Sequence, residues 1–121
     1  MRRSKEIKPI KMSKEEVNKF FKNICKELED NIEYIIFRKL KKNSGYFVEV
    51  GEKKFNYIEL DPRDEILPVL VHELTHCLHP EMDEIEVLTM ERSVINRISI
   101  RQYRKLLQIA LPKMKNKKPV A

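Results

Sequence analysis

The sequence predicts a single α+β domain, on three observations. Apolar residues recur at helical spacing toward both ends of the chain. Segments rich in aromatic and β-branched residues cluster between positions 34 and 60. The length of 121 residues supports one modest core and no second domain. Helices and strands are therefore segregated, and the order expected is helix, three strands, helix, helix.

Residues 1–12 are basic and irregular and read as a loose arm. Ser13 followed by Glu16 is a capping box that opens a helix. Val17, Phe20, Phe21, Ile24, Cys25 and Leu28 then form its apolar stripe. Tyr34 to Leu40 reads as a strand, Asn43-Ser44-Gly45 as a turn, and Tyr46 to Val50 as a second strand. After a loop at 51–54, Phe55 to Leu60 reads as a third strand, half-buried by its pattern. The simplest arrangement of the three is a small antiparallel meander.

Asp61-Pro62-Arg63-Asp64 breaks the strand, with Asp64 as a candidate N-cap. The next helix carries Ile66, Leu67, Leu70, Val71, Leu74 and Leu78, with Pro68 tolerated in its first turn and Pro80 as its stop. Asp83 caps one more, long helix, expected to run to about Leu111 before Pro112. The segment 113–121 is rich in lysine without apolar periodicity and is expected to be flexible.

All three histidines fall between positions 72 and 79, in the run Val71-His72-Glu73-Leu74-Thr75-His76-Cys77-Leu78-His79-Pro80. It contains H-E-x-x-H. Two histidines four apart on a helix leave from the same face and can grip one metal ion. The glutamate between them is placed to act as a general base toward water at that ion. His72 and His76 are thus the first two candidate zinc ligands and Glu73 the candidate catalytic residue. The third ligand stays open between several residues. His79 lies seven residues beyond His72, about 10.5 Å along a straight helix, too far to share an ion unless the helix unwinds. A short turn returns the next helix antiparallel, putting Glu84 near the level of His76 and Glu91 near that of His72. A glutamate on an apolar stripe needs a partner, either a metal or an arginine such as Arg97.

The remaining composition narrows the choices. Cys25 and Cys77 form no C-x-x-C pair and read as small core residues in a reducing compartment. No apolar run follows the basic N-terminus or is long enough to span a bilayer. A cytoplasmic location without a membrane partner is therefore expected. The net charge of +6 favours an acidic partner, with nucleic acid among the candidates. Arg92, Arg97, Arg101, Arg104 and Lys105 string cations along the last helix, although no recognised nucleic-acid motif is present.

The H-E-x-x-H of residues 72–76, set on a helix that follows a strand, resembles the zincin metallopeptidases, and among them the gluzincin type. The H-E-x-x-H-x-x-G-x-x-H pattern of the metzincins is absent. Pro80-Glu81-Met82-Asp83-Glu84 directly after the helix is similar to the acidic cluster of small phage-type metallopeptidases. The resemblance covers roughly residues 55–100. It implies a minimal zincin-like domain, a zinc cofactor, hydrolysis of peptide or protein substrates, and Glu84 as third ligand ahead of Glu91. It also implies that Phe55 to Leu60 forms a cleft edge to which a peptide adds as an extra strand. Larger gluzincins supply a tyrosine or histidine to the oxyanion; the candidates here are Tyr103, Tyr57 and His79. Two alternatives compete: a non-catalytic metal-binding regulatory domain closed by a fourth ligand such as His79, and a basic nucleic-acid-binding module.

Overall fold

The computed structural model describes residues 12–39, 45–48, 57–63 and 65–115. They form an α+β domain in the order α1 (Lys14–Asn31), β1 (Tyr34–Phe37), β2 (Gly45–Val48), β3 (Tyr57–Leu60), α2 (Ile66–Leu78), α3 (Glu84–Ile95), α4 (Ile100–Ala110), a 3-10 turn (Leu111–Lys113) and β4 (Met114–Lys115). Residues 1–11 of the expected arm, 40–44 with most of the expected turn, 49–56 with the expected loop 51–54, Asp64 and residues 116–121 lie outside the described residues.

Helix α1 starts where its capping box directs. The Glu16 amide donates to Ser13 Oγ at 3.1 Å and the Ser13 amide donates to Glu16 Oε1 at 2.8 Å, so two orphan amides of the first turn are satisfied. All six predicted stripe residues, Val17 to Leu28, are buried. Fixing this one face against the core holds the helix in place better than propensity alone. At the other end Lys113 Nζ donates to the carbonyls of Ile32 at 2.7 Å and Glu29 at 3.4 Å. A cation there satisfies the open carbonyls and complements the negative end of the helix dipole.

The sheet corrects the expected meander. Its order is β2-β3-β1-β4, with β3 between β2 and β1. Only β2 and β3 pair antiparallel; β1 runs parallel to both β3 and β4. The cause is burial. Ile35 and Ile36 of β1 are adjacent and both almost wholly buried, as are Ile58, Glu59 and Leu60 of β3. Strands covered on both faces suit the interior of a sheet with parallel pairing, not one exposed face of a meander. Glu59 is tolerated because Arg38 Nη1 donates to its Oε2 at 3.4 Å. With β3 hydrogen-bonded on both sides, Tyr57 to Leu60 of the expected cleft edge is interior to the sheet and offers a peptide no free backbone, while Phe55 and Asn56 lie outside the described residues. The two edges are β2 and β4.

Two further expectations are revised. The long C-terminal helix is two helices, interrupted at Asn96–Ser99. Ser99 and Gln102 form a second capping box, the Gln102 amide donating to Ser99 Oγ at 3.1 Å, which restarts the chain as α4 in a new direction. Within the segment expected to be flexible, Lys113 ends the 3-10 turn and Met114 and Lys115 pair with Ile35 and Ile36. Before α1, Met12 packs on the core and its carbonyl accepts from Arg97 Nη1 at 2.8 Å. At α2 the N-cap is Glu65, whose side chain makes no capping bond.

Helix α2 lies at the centre, packed against α1, α3, β2 and β3. The main core joins Phe21, Ile24, Leu28, Ile35, Ile58, Leu70, Leu74, Val94 and Leu106, drawing on every helix and on the interior strands. Among the described residues no helix is long and apolar enough to cross a membrane.

Cys25 sits in this core as a free thiol, 5 % exposed, and burial pushes its pKa up to about 11, with the Lys105 charge opposing and the Glu29 charge adding. The folded value lies above the ordinary thiol value of 9.0, so the stabilisation is fully present below about pH 9 and is lost as pH rises toward 11. At pH 10 the loss is on the order of 1 kcal/mol. Urea midpoints measured from pH 8 to pH 10.5 are expected to fall further for the wild type than for Cys25→Ala. Parallel curves for the two proteins would refute this assignment.

Candidate metal centre

The four-residue spacing on α2 brings His72 and His76 together as the helix geometry requires. Their ring centroids are 5.0 Å apart and the rings meet edge to face at 71°. His72 and Glu73 are buried, and His76 is half-buried. The turn after Leu78 is closed by the Met82 amide donating to the His79 carbonyl at 3.0 Å. Asp83 then caps α3 through a box with Glu86, which assigns Glu86 a structural duty. That cap fixes Glu84 as the first residue of α3, facing back toward α2.

Glu84 reaches both histidines. Its Oε2 lies 3.0 Å from His72 Nε2 and its Oε1 lies 3.0 Å from His76 Nε2. One ligand atom from each of His72, His76 and Glu84 lies within 4.8 Å of the others. The donor set is two imidazole nitrogens and one carboxylate oxygen, a combination that zinc accepts with a position left for water. Tetrahedral bonds of about 2.0–2.1 Å set neighbouring ligand atoms roughly 3.3 Å apart. Glu84 meets the two histidines at 3.0 Å through different oxygens, and one atom from each residue lies within 4.8 Å of the others, so the donor set could close on one ion.

Glu91 does not join this group. It accepts on the opposite side of the His72 ring, with Nδ1 donating to its Oε1 at 2.9 Å. A carboxylate on the second ring nitrogen fixes the tautomer and the ring plane of a ligating histidine. The stripe position of Glu91 was legible; its duty on Nδ1 was not. The one sequence signal is that Glu91 follows Glu84 by two helical turns on the face that meets α2. Arg97, the alternative partner for a buried glutamate, is bound to Met12 instead.

His79 is engaged elsewhere. Its Nδ1 lies 3.1 Å from Glu81 Oε2, and its ring stacks on Phe20 of α1, centroids 5.9 Å apart and planes 13° apart. As the C-cap of α2, it has left the helical path by which it was measured against His72. Tyr103 is half-buried in α4. Its hydroxyl pKa is raised by burial and by the Glu65 carboxylate. Glu65 precedes His72 by seven residues, about 10 Å of helix rise, so Tyr103 stands toward the far end of α2. Tyr57 is half-buried at the start of β3.

The electrostatics single out Glu73. Its carboxyl pKa is raised, first by burial and further by the Glu84 and Glu91 charges, against the pull of His72 and His76. Among the described residues no hydrogen bond satisfies its carboxylate, so its basicity is not consumed by a structural partner. At His72 burial lowers the imidazole pKa, but the Glu91 hydrogen bond and the charges of Glu84, Glu73 and Glu91 outweigh it, and the net shift is upward. Cys77 is half-buried beside His76 and outside the ligand group. No family model, curated protein or solved structure gives a significant match to this chain.

Proposed function

We propose that the chain is a zinc-dependent peptidase of the gluzincin type, with His72, His76 and Glu84 as metal ligands and Glu73 as general base. The observation that carries the reading is the convergence of three ligand atoms within 4.8 Å around the face of α2 that also bears a buried glutamate. A zinc ion held there would polarise the scissile carbonyl and lower the pKa of water at its open position.

The protein's own groups do the rest. Glu73 takes a proton from the attacking water and returns it to the departing amine; burial raises its carboxyl pKa, which makes it a stronger base than an exposed glutamate. Glu91 holds the His72 ring so that Nε2 faces the metal position. His72 and Glu73 are buried and Glu91 is half-buried, which lowers the local dielectric, so these charges act more strongly than at an open surface.

Zinc per chain after purification without added metal is the direct test, paired with hydrolysis of a mixed peptide library. About one zinc per chain is expected, with cleavage lost on chelation and restored by zinc. A protein that neither carries nor takes up zinc would defeat the proposal.

A further inference from the structure

A second feature lies away from the metal group. Helices α1 and α4 are separated by a groove of about 770 Å³ whose walls carry Lys14, Lys22 and Lys26 from α1, Lys105 from α4, and Arg97 just before α4. Its floor is Phe21 and Cys25, both buried. Gln102 of α4 donates to Asn18 of α1 at 3.0 Å and ties the walls together. A shallower depression of about 500 Å³ shares Glu29 and Lys105 with this groove and adds Arg101 and Arg104, so the basic surface is continuous along α4.

The charge is sorted, not merely abundant. Helix α1 as a whole carries four lysines against five acids. Three of those lysines face the groove, whereas Glu29 alone of the acids does. From Arg92 onward the sequence has nine lysines and arginines and no acid. Lys26 pairs with Asp30 at an exposed site, 3.2 Å, and Arg97 is bound to a carbonyl. Among the described residues no carboxylate pairs with Lys22, Arg101, Arg104 or Lys105. Holding these cations together without partners is unfavourable unless a polyanion neutralises them.

We propose that this groove binds the sugar–phosphate backbone of single-stranded nucleic acid. A channel with cations on both walls tracks one strand. The aromatic ring at its floor is buried and offers no stacking platform, so recognition is through phosphates and independent of base sequence. The walls are helices and present no free strand backbone to which an extended peptide could add.

The test is fluorescence anisotropy with a dT oligonucleotide of about 15 nucleotides, titrated at several salt concentrations. Five wall cations less Glu29 give about four phosphates neutralised, a slope of log K on log salt near −3, and roughly a 50-fold loss of affinity from 50 to 200 mM. Lys14→Gln, Lys22→Gln and Lys105→Gln combined are expected to shrink the slope by about 2. An equal change of charge off the groove, Lys19→Gln, Lys39→Gln and Lys115→Gln combined, is expected to leave the slope almost unchanged. All six positions are exposed, so both variants keep the fold. The proposal is overturned by absence of binding at low salt or by equal effects of the two triple variants. Equally tight binding of polyglutamate or of duplex DNA of the same length also overturns it. No metal ligand lines the groove, so the zinc result and this one stand or fall separately.

Discussion

Glu73→Gln is expected to reduce peptide hydrolysis by about 10²- to 10⁴-fold while the protein keeps its zinc and its fold. The amide matches the carboxylate in shape but cannot take a proton. Stability should not fall with activity. The native carboxylate is buried, and burial raises its pKa, so charging it works against folding near neutral pH. Removing that charge relieves the cost, although it also gives up attraction to His72 and His76. The two readouts are therefore turnover of a cleaved library peptide on zinc-loaded protein and the thermal midpoint of the metal-free protein. A zinc-loaded Glu73→Gln enzyme with wild-type turnover would remove Glu73 from the chemistry.

Glu84→Ala is expected to abolish zinc retention, taking the content from about one ion per chain to near zero after dialysis. Glu84 contacts both histidines, so its loss removes the third donor and leaves a two-coordinate site. Its side chain is 62 % exposed at the start of a capped helix, so the fold should change by no more than about 0.5 kcal/mol. Glu91→Gln should act more mildly, weakening zinc affinity by about 10- to 100-fold, because it disturbs the orientation of His72 and leaves the donors in place. His79→Ala should leave zinc unchanged, since that ring is spent on Glu81 and Phe20. Competition with a chromophoric chelator ranks the three. Zinc loss in His79→Ala with retention in Glu84→Ala would move the third ligand and favour a closed, structural site.

Much of this arrangement was legible because it rests on local periodicity. The α1 stripe, the capping box at Ser13 and the pairing of His72 with His76 each depend on residues within one or two helical turns. The failures involve distant parts of the chain. Tyr34-Ile35-Ile36-Phe37 carries no alternation that would reveal which strand lies beside it, and the place of β3 between β2 and β1 depends on pairings across distant segments. Met114 and Lys115 lack any strand pattern and become a strand because β1 offers an unpaired edge. The break before α4 was readable: Ser99 and Gln102 have the spacing of Ser13 and Glu16, and the apolar run across Ile95, Ile98 and Ile100 masked it. The direction of Glu91 toward Nδ1 of His72 depends on how α3 crosses α2, which no spacing within either helix specifies.

The parallel pairing of β1 with β4 has a consequence for the order of assembly. Ile35 and Met114 are roughly 80 residues apart in the chain, so this contact closes a very long loop. During synthesis α1, β1 and β3 are made early, and the H-E-x-x-H helix soon after, yet the outer margin of the sheet stays open until α4 has been passed. In the interval the nascent chain presents β1 with one bare side, an invitation to pairing with a neighbouring polypeptide. The brief β4, secured by Lys113 on the end of α1, then acts as a latch: it withdraws that side from strangers and marks the moment at which the domain becomes self-contained.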